Sequence, residues 1–140
     1  MPICWETEVM SIFHLAIPTH NITESKKFYV HNLDASIGRE YPGYIIFKFF
    51  GHQLVCHLDK YKIDKEVSMY PRHFGMIFDD KKTFDGLYSN AKNANLNFYE
   101  ELFERFKEKP EWHWSFFLID PSNNLIEFKY YENKLSIFGT

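Results

Sequence analysis

Cysteine is nearly absent: Cys4 and Cys56 are the only two in 140 residues, too few for a disulfide framework. A reducing compartment, the cytoplasm, is therefore the expected setting. Cys56 points away from its neighbour His57 if the run is a strand, and reads as a small buried hydrophobe. No uncharged apolar run approaches roughly 18 residues, which argues against a membrane-spanning helix. The opening stretch, Met1 to Glu8, shows neither the basic start nor the apolar core of an export signal. Charge of one sign is also lacking. The 16 Lys and Arg stand against 19 Asp and Glu, a formal charge of -3. No basic cluster exceeds what a solvated helix face carries, so a nucleic-acid partner is not expected and a small molecule is.

Aromatic residues are what the chain does have, with 15 Phe and 9 Tyr. Many fall in runs such as Tyr44–Phe50, where aromatic and β-branched side chains favour strands. The length suits one domain, 1–140, able to bury a full core. Two successive halves, about 11–58 and 73–131, show the same order of elements. In the first, a strand over Ser11–Ile17 precedes a helix over Thr23–Val30, with Ile22, Phe28 and Tyr29 available to the core. Strands follow at Ala35–Arg39, Tyr44–Phe50 and Gln53–Leu58. The last two are joined by Gly51-His52, read as a type II′ hairpin. A polar linker, Asp59–Arg72, leads to a strand at His73–Phe78. A helix at about Lys82–Asn93 then places Phe84, Leu87 and Ala91 at helical spacing. Strands near Asn97–Phe106, His113–Ile119 and Leu125–Tyr130 complete a second β, α, β, β, β order. Such internal repetition decides the expected fold.

Four side chains occupy matching places in these halves: His14, His57, His73 and Glu127. Alternation along a strand puts His14 on one face with Ile12 and Ala16, opposite Phe13, Leu15 and Ile17. In the same way Glu127 shares a face with Leu125 and Lys129, opposite Ile126, Phe128 and Tyr130. Two imidazoles and a carboxylate on a rigid sheet can hold a divalent metal with coordination positions left open. His20, His31 and His52 lie in loop or helix-end contexts and read as solvated. Arg105 and Lys107 fall near the expected cavity mouth, where they could meet an anionic substrate or simply face water.

The order of elements, together with FHLAI, FFGHQLVCHL, HFGMIF and above all LIDPSNNLIEFK, resembles the vicinal oxygen chelate superfamily, which includes glyoxalase I, extradiol dioxygenases and bleomycin or fosfomycin resistance proteins. The resemblance spans Ile12 to Tyr130. It implies an α+β fold in which two βαβββ modules curl into an incomplete, cupped mixed β-barrel with helices outside. It also implies a metal held by His14, His73 and Glu127. The fourth family position, carried over to this chain, falls on His57. Glyoxalase I has a carboxylate there, whereas extradiol dioxygenases have a proton-moving His that does not bind the metal.

The expected function is therefore extradiol-type oxidation of a small aromatic diol at iron(II), with His57 as catalytic acid/base. Mn, Ni, Co or Zn are the alternative metals. A non-redox glyoxalase- or epimerase-like enzyme and a metal-free resistance-type binding protein are the alternative functions. The resemblance also implies a homodimer. Extradiol dioxygenases commonly contact substrate with a Tyr on the strand before the Glu. This chain has no Tyr there, and His113 or Tyr99 is the candidate substitute.

Overall fold

The computed structural model describes residues 11–139. Two four-stranded mixed sheets carry the fold, each built from one half of the chain. The first contains β1 (His14–Thr19), β2 (Ser36–Tyr41), β3 (Tyr44–Phe49) and β4 (His52–Leu58) in the order β1-β4-β3-β2. The second contains β5 (Phe74–Phe78), β6 (Phe98–Arg105), β7 (His113–Ile119) and β8 (Leu125–Tyr130) in the order β5-β8-β7-β6. The outer strand of each module runs parallel to its last strand, and the remaining pairs are antiparallel. A helix crossover is what a parallel pair demands. α1 (Ile22–Lys26) and α2 (Lys81–Asn93) supply it. The two sheets are not closed into a barrel.

Capping explains where the helices begin. The Asn21 side chain accepts from the Glu24 N–H, and Asp80 accepts from the Lys82 and Thr83 N–H groups. α2 buries Phe84, Leu87 and Ala91, the stripe expected from their spacing. α1 is shorter than expected and continues as a π-helical stretch, Lys27–Asn32, which still delivers Phe28 and Tyr29 to the core. The β3–β4 hairpin also differs. Its two central residues are Phe50 and Gly51, at φ 51° and 84°, instead of Gly51 and His52. Positive φ at both positions is the type I′ pattern, whose twist matches that of the strands it joins.

One cluster of buried residues lies between the helices and the sheets, from Ile17, Phe28 and Tyr29 through Ile45, Phe47 and Leu54 to Phe84, Phe116 and Phe128. Cys56 is buried within it, and burial pushes its thiol pKa well up. Cys4 lies outside the described residues. Alternation then fixes the opposite faces. In the first sheet the non-helical face carries His14, Ala16, Gln53, Val55 and His57; in the second it carries Gly75, Glu127, Ser115 and Phe117. The turn 120–124 ties the halves together. The Tyr29 hydroxyl donates to Asp120 at 2.7 Å, the His20 N–H donates to Ser122 Oγ at 2.9 Å, and the Asn124 amide donates to the Pro18 carbonyl at 3.0 Å. His20 is thus half-buried and bonded, contrary to the solvated reading. His52 also differs from it, because its Nδ1 accepts from the Phe13 N–H. No helix among the described residues is long and apolar enough to cross a membrane.

Candidate metal centre

Glu127 sits in the middle of β8 and is 2 % exposed, far more buried than a half-polar sheet face predicts. A buried carboxylate must be compensated. Ser115, beside it on β7, donates its hydroxyl to Oε2. Arg105 Nη1 lies 3.5 Å from the same oxygen, and Lys129 Nζ lies 3.9 Å from Oε1. His73, just before β5, brings Nε2 to 3.0 Å from Oε1. Its other nitrogen, Nδ1, is 2.6 Å from the Met69 carbonyl. A carbonyl can only accept, so Nδ1 carries the hydrogen and Nε2 is left facing the carboxylate.

That spacing is what a metal would need. With metal–ligand bonds of about 2.1 Å, two ligands at right angles on one ion stand about 3 Å apart. Anchoring of the far imidazole nitrogen by a backbone carbonyl is the usual outer arrangement of a histidine ligand. β5 can press this closely on β8 because Gly75 pairs with Glu127. A Cβ at Gly75 would fall 1.6 Å from the Glu127 carbonyl oxygen.

His14 is elsewhere. It is exposed on the first sheet, and its Nδ1 is 2.7 Å from Gln53 Oε1, which leaves its Nε2 without that partner. It lines a groove with Ile46, Lys48 and Gln53. His73 instead borders a cleft of about 450 Å³ shared with Ala16, Pro18 and Arg72. Among the described residues, no three His, Cys, Asp or Glu side chains converge at metal-binding distance.

His57 is exposed on the same face as His14, its ring 5.4 Å from that of Tyr44. Pairing distinguishes it from the counterpart of Glu127. His14 is opposite Gln53 and Ala16 is opposite Val55. In the second module Phe74 is opposite Ile126 and Gly75 opposite Glu127. Matching His14 to His73 therefore makes Val55 the equivalent of Glu127. His57, opposite Pro18, lies two residues further along. It is four strand residues past Gln53, or about 13 Å at roughly 3.3 Å per residue.

Several residues that serve this region escaped the sequence reading. Gln53, Ser115 and Met69 act only through their partners, which no spacing rule reveals. Arg105, left open between substrate and water, turns its guanidinium onto Glu127. Lys107 is exposed and pairs with Glu104. His113 is buried against Tyr131, with ring centroids 4.5 Å apart and Nδ1 on the Glu111 carbonyl, whereas Tyr99 is partly exposed.

Comparison with known proteins gives a consistent result. A profile described as the glyoxalase/bleomycin resistance protein/dioxygenase superfamily matches residues 11–128. A glyoxalase/bleomycin resistance protein/dioxygenase from Alicyclobacillus acidocaldarius is 53% identical, with a TM-score of 0.87 over 91% of this chain and 96% of that one. A fosfomycin resistance protein from Listeria monocytogenes shares the fold at 13% identity, with a TM-score of 0.71 over 92% and 99% of the two chains. Lactoylglutathione lyase from Agrobacterium tumefaciens does so at 16% identity, with a TM-score of 0.66 over 89% and 96%. No curated protein matches the chain.

Proposed function

Because the chain belongs to the glyoxalase/bleomycin resistance protein/dioxygenase superfamily, we propose that it is a divalent-metal-dependent enzyme acting on a small molecule through two adjacent oxygens, by extradiol-type oxidation of an aromatic diol at iron(II). The observation that carries this reading is the His73–Glu127 pair at 3.0 Å, with the far nitrogen of His73 anchored on the backbone. A bound iron(II) would supply a centre at which two substrate oxygens and dioxygen can meet. His73 and Glu127 hold it from the second sheet, and Ser115 steadies the carboxylate.

The third ligand is His14 of a second copy. His14 is exposed, its Nδ1 is held by Gln53, and it does not reach His73 within one chain. A homodimer that sets the first sheet of one protomer over the second sheet of its partner joins the three ligands twice, as two-fold symmetry requires. His57 lies on the same exposed face as His14 and comes with it to the assembled site, where it serves as the imidazole that moves a proton.

Val55 favours this reading over a glyoxalase-like one. Where the second module has Glu127, the first has an apolar side chain, so three ligands are available and no fourth carboxylate serves as base. Open positions for substrate and dioxygen follow.

The test mixes two inactive variants. His14→Ala and Glu127→Ala should each fail to bind iron(II) after anaerobic reconstitution. Refolded together at equal amounts, half the dimers are mixed and each has one intact site, so about a quarter of the wild-type metal should return, with catechol-dependent oxygen uptake. No recovery would sink the shared site. Recovered metal without oxygen uptake on any catechol would sink the dioxygenase reading and leave the site.

A further inference from the structure

We propose that Arg105 and Lys129 form a recognition site for an anionic group of the substrate, beside the metal; the proposal rests on the reading of His73 and Glu127 as ligands. The two cations approach Glu127 from different sides, Arg105 at Oε2 and Lys129 at Oε1. Among the described residues, Glu127 is the one carboxylate within 4.0 Å of either. Their side chains are only 15 % and 28 % exposed, so neither is an ordinary solvated surface charge.

One carboxylate facing two cations leaves this corner with a formal charge of about +1, and a divalent ion on Glu127 would raise it to about +3. The same ion would draw on the carboxylate charge that now compensates the cations. The chelating oxygens of a bound diol would offset the charge of the ion, and a further anionic group on the substrate would offset the two cations. Arg105 is suited to receive it. Its Nη2 donates to the Tyr70 hydroxyl at 2.6 Å, and its guanidinium lies over the rings of Phe103 and Phe106 at 5.8 and 5.2 Å. A guanidinium held this way keeps a fixed orientation and offers its remaining N–H groups to a carboxylate or phosphonate. Lys129, its Nζ 5.9 Å from the Tyr131 ring centroid, adds a point charge. The substrate class is thus a vicinal-oxygen chelator with an acidic substituent.

The experiment uses full-length protein loaded with manganese(II) under anaerobic conditions, where no dioxygen is present for turnover, and measures Kd by calorimetry for catechol and 3,4-dihydroxybenzoate. The two share the chelating oxygens and differ by one carboxylate. Wild type should prefer the acid by about tenfold or more, the scale of one charge-assisted contact. Arg105→Gln and Lys129→Met should each cut that preference to within about twofold, and Arg105→Lys should restore part of it. Equal binding of both probes by wild type would overturn the proposal, as would a preference that survives in both variants. Variants that weaken manganese binding but leave the preference intact would show that the cations only steady Glu127. If neither probe binds, the metal-chelate reading falls first and takes this one with it. The matching phosphonate, 3,4-dihydroxyphenylphosphonate, separates a planar from a tetrahedral anion by which shows the larger preference.

Discussion

Gly75→Ala is the substitution whose outcome the structure dictates most sharply. A Cβ at residue 75 would sit 1.6 Å from the Glu127 carbonyl oxygen, where ordinary contact begins at 3.4 Å. Relief requires a movement of about 1.8 Å, a large share of the roughly 4.8 Å between paired strands. Among the described residues β5 is an edge strand bonded only to β8, so it is the element that gives way. Overpacking of a tight site costs about 1–3 kcal/mol, and lost ladder hydrogen bonds add to it. A total of about 3 kcal/mol is expected. For a chain of this length the unfolding entropy near the midpoint is about 0.3 kcal/mol/K, so Tm should fall by about 10 °C. Because His73 leads directly into β5, metal affinity should fall as well, by about tenfold or more.

Gly86→Ala is the matched control. Gly86 lies inside α2, where an added Cβ meets nothing within 4 Å. It should raise stability by about 0.5–1 kcal/mol, or about 2–3 °C. Thermal melts by circular dichroism and manganese(II) calorimetry on both variants make the comparison. Equal Tm values for Gly75→Ala and wild type would refute the close approach of β5 to β8 at Glu127.

Ser115→Ala removes the hydroxyl donor from a buried carboxylate, and should lower stability by about 1.5–3 kcal/mol, read as a Tm loss of about 5–10 °C. Tyr29 predicts a pH effect. Burial, then the Asp120 charge, raise its phenol pKa well above the ordinary 10.0. Above pH 10 the unfolded chain sheds a proton that the fold retains, so stability is complete below pH 10 and falls above it by up to about 1.4 kcal/mol per pH unit. Tyr29→Phe should flatten that alkaline slope in urea titrations between pH 10 and 12, and an unchanged slope would contradict the assignment. His57→Ala should retain one metal per subunit by elemental analysis while losing oxygen uptake, and loss of metal would make His57 a ligand.

The strands were legible because aromatic and β-branched runs with period two leave few alternatives; β3 and β8 were read to within a residue or two at each end. The π-helical turn after α1 was not, since Lys27 to Asn32 carry no local signal that separates one helical hydrogen-bond pattern from another. The hairpin was displaced by one residue because Phe50, at φ 51°, takes a conformation its side chain gives no reason to expect. Residue types suggested the candidate site, but its physics depends on register. Alternation gave Glu127 its face but not its burial, which comes from Ser115, Arg105 and Phe117 on strands 10 to 22 residues away. Likewise, Val55 and His57 share one face and have the same period. Only the pairing with Ala16 and Pro18 tells which is the counterpart of Glu127.

That pairing yields a final prediction. Both modules place a histidine at the mouth of the first strand and anchor its Nδ1 on an oxygen, Gln53 Oε1 for His14 and the Met69 carbonyl for His73. The modules diverge at the next position of the shared plan, Val55 in one and Glu127 in the other. Val55→Glu should therefore build a fourth ligand. Val55 is 5% exposed, so without metal the new carboxylate is buried unpaired and should cost about 1–3 kcal/mol or more. With metal it is compensated, so the rise in Tm on adding manganese(II) should exceed that of wild type. Oxygen uptake should fall, because the added oxygen fills a position that substrate or dioxygen requires. A metal-induced rise in Tm no larger than in wild type would mean that Val55 does not face the metal, and the two-sheet assembly of the site would have to be abandoned.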